Sequence, residues 1–154
     1  KSNQLHQASY VGDHIKYKIR RRGLAHYQQM IFRYQKEGGQ LLAGTDGGME
    51  YMLPGYTLHK ELEYYVEAGL TPWEALRTTT VNPAEVFNLG NQQGTIETGK
   101  KARLVLVKQN PLDKISATRQ ISLVIKDGEV WNEDFFMSLR RQLLEKPASL
   151  LETI

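Results

Sequence analysis

Apolar residues at spacings of three and four open the ordered part of the chain. Leu24, Tyr27, Ile31 and Tyr34 fall on one helical face, and Gly38-Gly39 supplies residues suited to a helix stop. Leu41-Leu42-Ala43-Gly44-Thr45 follows, a short run apolar on both faces, which predicts a parallel strand buried beneath helices. It ends in Asp46-Gly47-Gly48. Beyond a loop with Pro54 and Gly55, the positions Leu58, Leu62, Tyr65 and Val66 predict a second helix closed by Gly69. Thr71-Pro72-Trp73-Glu74 then reads as a helix start, with a hydroxyl cap, a proline at the first helical position and a glutamate placed to reach back to the cap's amide. The same logic predicts another start at Asn82-Pro83-Ala84-Glu85, with Gly90 as its stop.

From about Asn91 the pattern shortens. Thr95-Ile96, Thr98-Gly99-Lys100 and Leu104-Val105-Leu106-Val107 read as short strands, and Asn110-Pro111 as a turn. Ile121 to Ile125 and Val130-Trp131 flank a polar link containing Asp127-Gly128, a strong hairpin signal. Phe136, Leu139 and Leu143 mark one face of a terminal helix that ends near Pro147. Trp73, Trp131 and the tyrosines at helical spacing read as core or helix–sheet contacts. Residues 1–23 have no sustained period and read as an irregular connection. The chain therefore divides into an α/β part over 1–90, a β-rich part over 91–131, and a terminal helix and tail over 132–154.

With 154 residues, 40% hydrophobic and 24% charged, the chain can bury a core and reads as globular. The net charge of +3 is small, and the basic run from Lys16 to Arg22, interrupted by Tyr17, reads more simply as solvated surface than as a nucleic-acid-binding module. The absence of cysteine excludes disulfides and thiolate chemistry. No apolar run reaches membrane-spanning length. The sequence opens on Lys1 without a signal segment; the expectation is that the true amino terminus lies upstream, which leaves the compartment open.

Asp46 is the residue whose position suggests chemistry, because parallel α/β folds and barrels place reacting groups at the carboxyl ends of strands. Such a carboxylate can ligate a divalent cation, take a proton from water, or both. Read alone, a single aspartate after a strand is more simply an Asx turn or a helix cap. The histidines His6, His14, His26 and His59 show neither a two-apart nor a four-apart pair, so the chain carries no self-contained zinc motif. His59, about a dozen residues after the site loop, could line a pocket but reads more simply as a solvent-facing helical residue, and no serine has the context of a nucleophile elbow.

Leu41-Leu42-Ala43-Gly44-Thr45-Asp46, the stretch from Glu61 to Arg77 (ELEYYVEAGLTPWEALR), and Thr79-Thr80-Val81-Asn82-Pro83-Ala84 together resemble the amidohydrolase superfamily, closest to imidazolonepropionase-like and Xaa-Pro dipeptidase-like members. Gly94 to Ala102, Asn110-Pro111-Leu112 and Val124 to Val130 extend the resemblance, which runs from about residue 24 to 131. It implies the carboxy-terminal part of a (β/α)8 barrel, with its last strand ending at Asp46 and later helices, followed by strands of a small β-sandwich. It further implies that Asp46 binds metal and shuttles the proton of the attacking water, and that the histidine ligands lie upstream. Arg103 departs from the pattern, which usually has aspartate there; the position belongs to the β-rich part, so local packing is in question and not catalysis.

On this resemblance the parent protein is expected to be a metal-dependent hydrolase of amide or other C–N bonds, using zinc or another divalent metal. Asp46 is its catalytic and metal residue, and Gly47, Gly48, Met49 and Tyr51 border the substrate pocket. The substrate is expected to be a small molecule or dipeptide: a cyclic amide, a proline-containing dipeptide or an acyl amino acid. The rest of the barrel comes from the same polypeptide, this portion alone is expected to be inactive, and homo-oligomerisation stays open. The rival reading is a non-catalytic scaffold or oligomerisation piece whose barrel relatives have lost their metal.

Overall fold

A computed structural model of the chain describes residues 23–46, 53 and 55–145. The connection over 1–22 with its basic run, the loop residues Gly47, Gly48, Met49 and Tyr51, and the tail after 145 lie outside the described residues. The architecture is α/β with one small antiparallel sheet. Residues 23–36 form α1; α2 spans Tyr56–Glu67, α3 Pro72–Arg77 and α4 Val81–Val86. Strand β1 spans Arg103–Val107, a 3-10 turn follows at Ile115–Arg119, and β2 (Ile121–Lys126), β3 (Glu129–Asn132) and α5 (Glu133–Glu145) complete the order.

Helix α2 ends as its glycine predicts. Gly69 has φ 107°, its amide donates to the Val66 carbonyl at 3.0 Å, and the Leu70 amide donates to the Tyr65 carbonyl at 3.1 Å. This is the paired bonding of a Schellman stop, and Leu70 is buried beside Tyr65 as that motif favours. A Cβ on Gly69 would lie 2.9 Å from the Phe32 ring, so this glycine also admits α1 to the side of α2. Helix α3 starts with the expected capping box: the Glu74 amide donates to Thr71 Oγ1 at 3.2 Å, and the Thr71 amide donates to Glu74 Oε2 at 2.7 Å.

The core joins the two halves of the chain. Leu62 and Tyr65 of α2, Leu70, Ala75 of α3 and Ile115 of the 3-10 turn are buried together, with Ile31, Leu41, Ala43, Val66 and Leu76 packed against them. Of the expected apolar face of α1, only Ile31 reaches this cluster; Leu24, Tyr27 and Tyr34 are exposed. Trp73 is also exposed, because it follows the proline at the start of α3 and points off the face that buries Ala75.

In the β-rich part the three strands pair antiparallel in the order β1-β2-β3. Asp127 and Gly128 both have positive φ, 54° and 89°, as the tight turn between β2 and β3 requires. Ser122 is the extra residue where the β1–β2 register shifts, and its hydroxyl donates to the Leu106 carbonyl at 3.1 Å. Arg103 opens β1 and reaches Asp127 Oδ1 at 3.3 Å and Gln93 Oε1 at 3.0 Å, so the arginine at this position ties the hairpin turn to the preceding loop. Trp131 stacks on Phe135 with centroids 5.9 Å apart, docking α5 on the sheet.

Two sequence expectations are corrected. Residues 95–96 and 98–100 are bends and turns rather than strands; the Lys101 amide bonds the Gln92 carbonyl at 2.8 Å, closing a loop where strands were expected. Helix α4 begins at Val81 with Thr80 as its cap, so Asn82 lies inside the first turn instead of capping it. Residues 41–45 are not helical, but they form no ladder either. No strand among the described residues pairs with them; Leu41, Ala43 and Thr45 are half-buried against the helices while Leu42, Gly44 and Asp46 are exposed.

Candidate functional site

The segment leading to Asp46 is held from both sides by groups other than strands. The Ala43 amide donates to the carbonyl of buried Thr78 at 3.0 Å, and Asn82 Nδ2 donates to the Leu41 carbonyl at 2.8 Å. Thr78 follows α3 and Asn82 lies in the first turn of α4. From α2, Glu61 Oε1 accepts the Gly44 amide at 3.0 Å, and the Tyr65 hydroxyl lies 3.3 Å from the Leu42 carbonyl. Glu61 and Tyr65 are four apart, hence on one face of α2, and the Tyr65 hydroxyl donates to Glu61 Oε1 at 2.8 Å. Burial first, and this hydrogen bond second, push the Tyr65 hydroxyl well above the usual tyrosine range, so it remains a donor at any ordinary pH. Glu61 Oε2 is buried without a hydrogen-bond partner among the described residues.

Asp46 ends this segment with φ 46°, in the left-handed region that aspartate tolerates better than most residues. It is exposed, and no described residue hydrogen-bonds its side chain. An exposed carboxylate fits one position in the coordination of a divalent cation. It does not make a site. No group of three His, Cys, Asp or Glu side chains among the described residues could hold a metal ion. The expected pocket residues Gly47, Gly48, Met49 and Tyr51 lie outside the described residues.

His59 does not face solvent as its sequence context predicts. Its Nδ1 lies 3.0 Å from Thr118 Oγ1, whose own proton goes to the Ile115 carbonyl at 2.8 Å. The hydroxyl can therefore only accept from the imidazole, which places a proton on Nδ1. Burial, then the nearby Arg119 guanidinium, lower the His59 pKa, opposed by Glu63. Arg119 Nη2 lies 2.7 Å from Glu63 Oε1, so His59, Glu63 and Arg119 together tie α2 to the 3-10 turn. His59 also borders an open, mainly apolar cavity of about 760 Å³ between α2, α4 and β1, whose wall includes Leu58, Leu76, Phe87, Arg103 and Val105. Asp46 is not part of that wall.

Sequence reasoning missed Glu61, Tyr65 and Asn82 as neighbours of the Asp46 segment. The first two had a readable signal, a glutamate four residues before a tyrosine on a core-facing stripe. Asn82 had none, since an asparagine before a proline reads first as a cap.

Comparison with known proteins gives the following relations. The model described as the amidohydrolase family matches residues 29–131. An imidazolonepropionase from Geobacillus sp. is 51% identical over 41 residues, which are 27% of this chain and 10% of that protein. An adenine deaminase from Rubrobacter xylanophilus is 26% identical over 114 residues, covering 74% of this chain and 18% of that protein. The crystal structure of a Xaa-Pro dipeptidase with methionine bound in its active site superposes with a TM-score of 0.62 at 31% identity, covering 68% of this chain and 25% of that one. The chain thus spans a quarter or less of the length of each of these relatives. No helix among the described residues is long and apolar enough to cross a membrane.

Proposed function

Because this chain belongs to the amidohydrolase family, we propose that it is the carboxy-terminal portion of a metal-dependent hydrolase of amide or other C–N bonds, with Asp46 as its contribution to the reacting centre. In this reading residues 1–90 are the end of a (β/α)8 barrel, 91–131 are strands of a small β-sandwich, and 132–154 are a terminal helix and tail. The observation that carries the reading is Asp46 itself: an exposed carboxylate in a left-handed turn, at the end of a segment anchored from two sides.

A divalent cation, zinc by preference, would be held by Asp46 together with ligands from the upstream chain, and would supply Lewis acidity that lowers the pKa of water and polarises the carbonyl. Asp46 accepts the proton of the attacking water on a carboxylate oxygen and passes it to the leaving nitrogen. Gly47, Gly48, Met49 and Tyr51 border the substrate. The activities for which the relatives are named, imidazolonepropionase, adenine deaminase and Xaa-Pro dipeptidase, support a small molecule or dipeptide as substrate.

Asp46→Asn in the full-length parent tests this reading. Asparagine tolerates positive φ and keeps the size of aspartate, but neither takes up nor returns a proton. Turnover should fall roughly 10²–10⁴-fold while the melting temperature holds. Activity within a few-fold of wild type would refute the catalytic role, and a large loss of stability would return Asp46 to a structural one.

A further inference from the structure

We infer that Glu61 is a positioning residue for Asp46, clamping the Gly44 amide to α2 so that the carboxylate two residues on is presented in a fixed place; this rests on the metal-ligand reading of Asp46. The Gly44 amide is the last backbone group before Asp46 that any described residue holds, and Glu61 holds it. No backbone hydrogen bond from a described residue fixes Thr45 or Asp46. Gly44 is thus the anchored backbone position nearest to Asp46 among the described residues.

The clamp is built to be stiff. Glu61 Oε1 receives two donors, the Gly44 amide at 3.0 Å and the Tyr65 hydroxyl at 2.8 Å, and Tyr65 is itself buried in the core. The Tyr65 hydroxyl also approaches the Leu42 carbonyl at 3.3 Å, so one helical face touches the segment at two alternate residues, Leu42 and Gly44. The other carboxyl oxygen, Oε2, is buried and unpaired among the described residues. Glu61 touches neither substrate nor metal in this account; it acts through the backbone of Gly44.

The test uses the full-length parent with zinc as the probe, measuring zinc affinity by competition with a chelator alongside the melting temperature. Glu61→Leu removes the acceptor and keeps most of the volume, and zinc affinity should fall about tenfold, the lower end of what losing an outer support of a metal ligand costs. Glu61→Gln keeps one acceptor oxygen for Gly44 and Tyr65 and should recover most of the affinity. A purely structural Glu61 would lower the melting temperature in Glu61→Leu and leave the affinity of the folded protein unchanged, which overturns the proposal. Should Glu61→Leu not fold, Tyr65→Phe removes one donor with the packing kept; a drop in zinc affinity of about threefold supports the clamp, and none overturns it. Asp46→Asn is run beside them. If it leaves zinc affinity intact, the metal reading of Asp46 fails; if it loses affinity while Glu61→Leu does not, only the positioning role fails.

Discussion

Asn82 donates through Nδ2 to the Leu41 carbonyl at 2.8 Å, a bond between residues 41 apart in sequence that ties the first turn of α4 to the segment ending in Asp46. Asn82 is buried, so the bond is shielded from water and its loss leaves the carbonyl without its donor. Asn82→Ala should cost about 1–3 kcal/mol, the penalty of a buried group left unpaired. Urea unfolding checks this, and a change within experimental error would mean that the bond contributes nothing.

The capping box of α3 makes a second prediction. Thr71→Ala should cost about 1 kcal/mol of stability. The hydrogen bond from the Thr71 amide, above all, holds the Glu74 carboxyl below the usual glutamate range, with the Thr71 hydroxyl and Lys36 helping and burial opposing. A carboxyl depressed on folding stabilises the protein above its unfolded pKa, about 4.3, and loses that contribution as pH falls through the lower folded value. Glu74→Gln should therefore flatten the stability profile below about pH 4.5. Unfolding free energies of wild type and variant at pH 7 and in that acid range decide it.

His59 titrates in the opposite sense to a salt-bridged histidine. Its folded pKa is lowered, by burial first and by Arg119 second, so the native state favours the neutral ring. The unfolded chain binds the proton more readily. Stability should thus be complete above the unfolded pKa of about 6.5 and decline as pH drops below it. His59→Gln, whose amide can still donate to Thr118, should lose this part of the pH dependence. A variant profile parallel to wild type between pH 7.5 and 5.5 would contradict it.

Gly94 has φ 101°, and a Cβ there would lie 2.6 Å from the Ala84 Cβ and 3.3 Å from the Thr80 carbonyl oxygen. Neither neighbour is the end of a flexible side chain. Gly94→Ala should destabilise by about 2 kcal/mol or more, combining backbone strain with a clash that α4 must move to relieve. Gly99, also at positive φ but with open space around its Cβ position, should show the smaller, backbone-only cost when changed to alanine. Equal losses at the two sites would contradict the steric part.

What the sequence made legible were the features set by neighbours a few residues away. The box at Thr71 and Glu74, the stop at Gly69 and the turn at Asp127-Gly128 each follow from local backbone chemistry, and each is found. Features that depend on distant partners were not legible. Asn82 carries the same local signal as a cap, yet its amide is used on Leu41, and that choice is made by tertiary packing. The run at 41–45 has the composition of a buried strand, but a ladder requires strands that these residues cannot supply. Thr95-Ile96 shows why short β-like runs mislead: Ile96 is 86% exposed and has no partner strand to make extension worthwhile. Asp46 was picked out as a candidate by its place after an apolar run and before glycines. Its supports, Glu61 and Tyr65, become visible only once α2 lies against the segment.

The last prediction concerns this chain by itself. A catalytic zinc is normally held by three protein ligands with water in the remaining position, and one carboxylate competes poorly with bulk water for a cation. The described residues offer Asp46 and no cluster of three metal-ligating side chains. Purified alone, the chain should bind zinc weakly and hydrolyse no amide substrate at a rate that a chelator suppresses. Helical content by circular dichroism identifies the preparations in which α1 to α5 are formed, so that a negative result is not one of unfolding. Supplying the upstream part of the polypeptide should bring metal binding and turnover together, because the missing ligands and Asp46 then share one cation. Chelator-sensitive turnover by the isolated chain would mean that it carries a complete metal site, contrary to the dependence on upstream ligands. Tight zinc binding without turnover would point to a site among residues 1–22 or in the loop after Asp46, which Asp46→Asn would distinguish by leaving the affinity unchanged.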